Sequence, residues 1–181
     1  MGAREKAIAI RLRGIGHQLE KNYQSAIAAY QEAVDLWRIL SPESEGVAAG
    51  LNHLAEVERL SGDLTAAERD YREALRIAKK IKDREGVAIY TGNLANLALQ
   101  REDLPAYEAL AREALPLAES VGKEWEIAAN CGRIAQALAR QGRKAEGLPY
   151  AQRAVKIFTK LRSPDLERAQ AVLRECEGVN E

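Results

Sequence analysis

A period of about forty residues runs through this chain, and it constrains the fold more than any other feature. The segment Gly62-Asp63-Leu64-Thr65-Ala66-Ala67 returns forty residues later as Glu102-Asp103-Leu104-Pro105-Ala106-Tyr107. After another forty it returns as Gly142-Arg143-Lys144-Ala145-Glu146-Gly147, and Lys21-Asn22-Tyr23-Gln24-Ser25-Ala26 precedes it by forty-one. The register holds on both sides. Ala33, Ala74, Ala114 and Ala154 form one column and Leu36, Ile77, Leu117 and Ile157 another, while Gly14, Ala55, Ala95 and Ala135 recur upstream. Self-similarity of this kind marks a repeat architecture, in which each unit buries its apolar face only against its neighbours.

Each unit reads as two helices. Val47, Leu51, Leu54 and Val57 keep helical spacing, Ser61-Gly62-Asp63 breaks it, and Leu64, Ala67, Tyr71, Ala74, Leu75 and Ala78 resume it. Gly62 suits a left-handed helix end, and Asp63 can accept the free amides of the next helix. Turns this short force the two helices antiparallel. Aromatic residues make up 5% of the chain while Ala and Leu abound, which favours helix over sheet. Ser41-Pro42-Glu43 and Ser163-Pro164-Asp165 each offer Ser as an N-cap with Pro at the first helical position, and Asp83 offers a cap to the third unit. Pro116 and Pro149 fall inside second helices and predict a bend at each. After Ser163 a single amphipathic helix, with Leu166, Ala169, Val172 and Leu173 on one face, covers the end of the stack. The expected fold is therefore all-α, a right-handed α-α superhelix (solenoid) of four helix hairpins plus a C-terminal capping helix. One domain is expected over residues 1–178, with repeats near 3–41, 43–81, 83–121 and 123–162 and the cap at 164–177.

Several function classes are disfavoured. The 27 basic and 27 acidic residues are interspersed and cancel, so no charge block invites nucleic acid or an anionic membrane. Apolar runs are too short to span a bilayer, and the N-terminus lacks the apolar stretch of a secretory signal, so the expected setting is cytoplasmic. Cys131 and Cys176 lie in apolar helical segments without metal spacing and read as buried small hydrophobes. His17 and His53 have no ligand partners at metal spacing, and there is no phosphate loop or nucleophile elbow, so neither cofactor nor catalysis is expected. Most carboxylates are expected on outer faces. The Glu68 and Arg72 pair reads as a surface i,i+4 ion pair worth about 0.3–0.5 kcal/mol.

The small-residue columns, the Gly62-Asp63-Leu64 turn and the Ala74 column resemble the tetratricopeptide repeat. The resemblance covers the chain to about Leu161, with a period longer than the usual ~34 residues. Lys82-Asp83-Arg84-Glu85-Gly86-Val87-Ala88 followed by Gly92-Asn93-Leu94-Ala95 is similar to the longer subfamily of kinesin light chains, spindle-orientation adaptors, bacterial regulators and STAND-type signalling ATPases. That resemblance implies a concave groove whose first-helix asparagines hold a peptide. Asn93 matches the asparagine, and Leu12, His53 and Arg133 take its column in the other units.

Residues at i, i+3 and i+7 share a helical face. Applied to the first helices this gives Asn93, Asn96 and Gln100 in the third unit, and Arg133, Gln136 and Arg140 in the fourth. In the second unit Asn52, His53, Glu56 and Arg59 lie close to the same face. A solvated face would favour Lys and Glu, whereas Asn is a poor helix former. Amides can meet a peptide backbone as donor and acceptor, and Arg can grip a carboxylate bidentately. Gly92 and Gly132 beside them are expected to leave room for a ligand backbone. The function this predicts is a protein-interaction scaffold binding a peptide or partner segment in the groove. The alternative is a sensor or regulatory module of a larger signalling ATPase or transcription regulator. An enzyme-associated subunit with a small-molecule site in the groove is a third reading. Open-ended arrays also pair with themselves, which leaves self-association open.

Overall fold

A computed structural model of the protein describes residues 2–178. Met1, with which the expected domain begins, lies outside the described residues. Among the described residues there are nine helices and no strands. They are α1 (Ala3–Leu19), α2 (Tyr23–Leu40), α3 (Glu45–Ser61), α4 (Leu64–Ile81), α5 (Arg84–Gln100), α6 (Leu104–Ser120), α7 (Glu124–Arg140), α8 (Lys144–Leu161) and α9 (Leu166–Glu177). They are the four helix hairpins and the closing helix expected of the fold. The helices gather into two compact units, one up to Asn93 and one from Leu94 onward, with the division falling within α5.

The turns form where the repeated chemistry places them. Asn22, Asp63 and Asp103 accept the backbone N–H groups of Ser25, Ala66 and Ala106 at 3.2, 2.9 and 3.0 Å. Asp83 does the same for Gly86 at 2.9 Å. Each such cap is worth about 1 kcal/mol. Gly62 closes α3 in the left-handed region at φ 96°. The same conformation appears at helix ends on side-chain-bearing residues, Lys21, Lys82, Glu102 and Arg162, at φ 58°, 61°, 60° and 51°.

In the first unit α1 packs on α2, α2 on α3 and α3 on α4. Ala26, Tyr30, Leu54 and Val57 form one buried cluster there, and Ile10, Ala29 and Ala33 another. Gly14 shows why its column stays small: a Cβ built on it would lie 2.7 Å from Cε1 of Tyr30. Ala55, Ala95 and Ala135 hold that column elsewhere, fully buried, as are Ala33, Ala74, Ala114 and Ala154. In the second unit α7 carries most of the core. Ala128, Cys131, Ile134 and Leu138 meet Ala154 and Phe158 of α8 and Ala169 of α9. Val172 and Cys176 of α9 pack with Ala135, Ala139 and Ala151. Both cysteines are buried and free, and burial pushes the Cys131 thiol up to about 11.

Four sequence expectations need correction. Ser41 does not start α3, because its N–H is spent on the Trp37 carbonyl at 2.8 Å and it closes α2. Ser44 is the N-cap instead, accepting the Val47 N–H at 3.4 Å. Ser163 likewise accepts the Asp165 N–H at 3.2 Å in a turn, so α9 begins at Leu166 and Pro164 stays outside it. Gly92 is buried, whereas Gly132 remains partly open. Glu58 and Asp70 do not face outward: they are 6% and 5% exposed at the contact of α3 with α4. Arg69 joins them, with Nε 2.7 Å from Asp70 Oδ1 and Nη2 3.7 Å from Glu58 Oε1. Glu68 and Arg72 do form the expected surface pair, at 2.8 Å. Pro116 and Pro149 sit on exposed positions within α6 and α8.

Candidate functional site

In the first unit α3 presents the expected row at partly buried positions, and each member is already held. Asn93 donates through Nδ2 to Oδ1 of Asn52 at 2.7 Å, linking α5 to α3. Glu56 accepts from Arg59 Nε and Nη2 at 3.0 and 2.8 Å, and from the Tyr71 hydroxyl at 2.6 Å. Tyr71 is fully buried, and burial, reinforced by Glu56, drives its pKa upward. His53 stacks on Tyr30 with ring centroids 5.4 Å apart and planes 15° apart. Its Nε2 lies 3.4 Å from Nη1 of Arg11. Burial and then the Arg11 charge lower the His53 pKa, so the ring is neutral at pH 7. Asn52, Glu56, Arg59 and Asn93 thus come together in one face, while His53 is drawn toward α1 and α2.

In the second unit α7 supplies Arg133, Gln136 and Arg140, and α5 supplies Asn96 and Gln100. Gln136 accepts the hydroxyl of buried Tyr107 at 2.9 Å. Asn96 accepts from Arg133 Nε at 3.0 Å, and Asn130 accepts from Arg133 Nη1 at 2.9 Å. Arg133 is not the solvent-facing side chain expected from its column. It is 8% exposed, because Asn130, itself fully buried, and Asn96 pull the guanidinium into the packing. Burial lowers its pKa, yet a guanidinium stays charged at any physiological pH. Gln100 and Arg140 are exposed.

Asn96, Arg133 and Gln136 line a cavity of about 120 Å³. Trp125 and Phe158 make its aromatic wall, edge to face at 6.2 Å, and Ala129, Gly132, Ala169 and Val172 its apolar floor. Asp165 and Arg168 complete the rim. The Trp125 indole N–H donates to Asp165 Oδ2 at 3.0 Å, and Ser163 Oγ donates to the same oxygen at 3.0 Å. Sequence reasoning missed Trp125, Phe158, Asp165 and Arg168. Arg168 stands on α9, which belongs to no repeat column. Trp125 gave a faint signal as one of only two tryptophans, 43% exposed. Among the described residues no group of three or more His, Cys, Asp or Glu is placed to hold a metal ion. No described helix is long and apolar enough to cross a membrane.

Helix hairpins in tandem, with columns of small residues inside and ordered polar rows on the first helices, define a helical-repeat protein. The chain belongs to the tetratricopeptide repeat family, whose profile matches residues 5–80 and 46–120. Among solved structures it resembles the tetratricopeptide-like repeats of a kinesin light chain-type protein from Podosopora anserina, at 16% identity and TM-score 0.79, covering 98% of this chain and 89% of that one. The apo form of RapI matches at 16% identity and TM-score 0.81, over 98% of this chain and 50% of that one. A STAND protein with a tetratricopeptide sensor from Pyrococcus horikoshii matches at 14% and 0.82, over 97% of this chain and 27% of that one. At such identities the likeness shows the fold alone. A comparison with curated protein sequences finds no match.

Proposed function

We propose that this chain is a protein-interaction module whose first-helix polar faces hold an extended segment of a partner. Tetratricopeptide arrays are interaction scaffolds in general. The observation that carries the finer reading is that polar side chains in both rows are fixed from behind by buried tyrosines. Tyr71 holds Glu56 and Tyr107 holds Gln136. A side chain ordered before binding loses less rotamer freedom on binding, a saving of about 0.5–1.5 kcal/mol per residue. Amide and guanidinium groups suit a peptide backbone and acidic side chains. The role is binding, not catalysis, in a cytoplasmic setting.

A regulatory variant of this reading, in which the array senses a ligand within a longer signalling chain, draws support from the STAND sensor array of the same fold. The test is affinity capture with mass-spectrometric identification, comparing wild type with Asn93→Ala plus Arg140→Ala. Arg140 is exposed, which spares the fold in a way that substituting buried Arg133 would not. Partners captured by wild type should be depleted about tenfold by the variant, as expected for losing contacts worth ~1.4 kcal/mol. Equal capture of every partner would sink the proposal.

A further inference from the structure

The cavity against α9 has a chemistry more specific than the polar rows of the first helices. Its deepest polar group is Arg133, more than nine-tenths buried, which donates to Asn96 and Asn130, both neutral amides. A buried cation needs a counter-charge or pays heavily in desolvation. The cavity's own carboxylate, Asp165, is engaged with the Trp125 indole and the Ser163 hydroxyl. Arg168 adds a second cation at the rim. Among the lining residues two guanidinium groups face the single carboxylate of Asp165, and Glu126, outside the lining, adds a more distant negative charge that makes no ion pair with Arg133. The rest of the lining, from the Trp125–Phe158 pair to Val172, is apolar.

From this arrangement we infer that the cavity is a receptor for a carboxylate on a short apolar stem, of the size of a glutamate side chain. It deepens the proposed function and rests on it by naming the ligand chemistry that the second unit accepts. Size agrees: a 150 Å³ apolar cavity holds benzene, so about 120 Å³ admits a slightly smaller group such as a propionate. The stem lies along the aromatic wall, and the carboxylate meets the remaining donors of Arg133 with Arg168 closing from the rim. Charge-assisted bonds of this kind are about twice as strong as neutral ones, which makes the acid far better than its amide.

The chain has two tryptophans, and only Trp125 lines the cavity, so the two indole N–H resonances of the full-length protein report binding with an internal control in Trp37. The probes are propionate against propionamide, and a short, end-blocked peptide with one central glutamate against its glutamine twin. The expected result is a saturable shift of the Trp125 signal alone, with the acid of at least one pair binding about tenfold or more tightly than its amide. Preference within the peptide pair assigns the carboxylate to a partner segment; preference within the propionate pair alone assigns it to a free small acid. Arg168→Gln should weaken binding severalfold. Gly132→Leu, at an open helical position where only Ala154 Cβ lies within 4 Å of an added Cβ, should abolish it by filling the space. Both variants avoid buried Arg133 and so spare the fold, checked by circular dichroism. Equal binding of acid and amide in both pairs, or unchanged acid binding to Gly132→Leu, overturns the inference. Were partner capture still sensitive to Asn93 and Arg140 after such a result, only the carboxylate claim would fall.

Discussion

Replacing Glu58 with glutamine should stabilise the protein at pH 8 and do so several-fold less at pH 5. Burial first, then the neighbouring Asp70 charge, raises the Glu58 pKa from 4.5 to about 7, with Arg69 opposing. Its Oε2 has no hydrogen-bond partner among the described residues. An unfolded Glu58 releases its proton near pH 4.5, whereas the folded chain keeps it to about pH 7. Between those values the folded state binds more protons than the unfolded state, so stability falls as pH rises through that window. Below about pH 4.5 the penalty is absent; above about pH 7 it is complete. At about 1.4 kcal/mol per pH unit, the shift sets a ceiling of roughly 3 kcal/mol. Glutamine mimics the protonated acid and carries no charge to desolvate. With a urea m-value of about 2 kcal/mol per molar, the midpoint at pH 8 should rise by up to about 1.5 M. Urea titrations of both proteins at the two pH values, followed by helical circular dichroism, decide the matter. A gain of equal size at pH 5 and pH 8, or none at pH 8, would refute the linkage.

Three further outcomes are expected. Gly14→Leu forces a side chain into the Tyr30 ring and should cost about 1–3 kcal/mol, read as a lower urea midpoint. Tyr107→Phe removes the hydroxyl bond to Gln136 and should cost about 1 kcal/mol, a drop of roughly 2–4 °C in a thermal melt. Cys131 and Cys176 should react slowly with a thiol reagent in the native protein at pH 8 and rapidly in denaturant, since both are buried and burial disfavours their thiolates.

What the sequence made legible was local chemistry repeated at a fixed spacing. Gly62 and the caps at Asp63 and Asp83 depend on residues within a few positions of one another and sit as expected, and Asn22 and Asp103, at matching places in the period, cap their helices too. The misses came from interactions between elements. Two serines bracket the turn after α2, and which one caps α3 is settled by how far α2 runs. Arg133 shares a column with Asn93, but Asn130 one turn earlier draws it inward. Glu58 and Asp70 lie on faces that periodicity marks as polar, and only the packing of α3 on α4 reveals that they are covered. The cavity depends on α9, a helix outside the period, so repeat logic could place Asn96 and Gln136 on its rim but not Trp125 or Arg168.

The left-handed helix ends carry a consequence for thermal adaptation. At Lys21, Lys82, Glu102 and Arg162 a side chain occupies a conformation that costs roughly 1–2 kcal/mol with a Cβ present. Glycine would relieve most of that and return part of it through a freer unfolded chain, about 0.4–1 kcal/mol. The balance is a reserve of about half a kilocalorie per mole or more at each turn. All four positions lie in connections, away from the polar rows on the first helices. The melting temperature can therefore drift up or down over generations by single exchanges at these corners, while the surface offered to a partner stays the same.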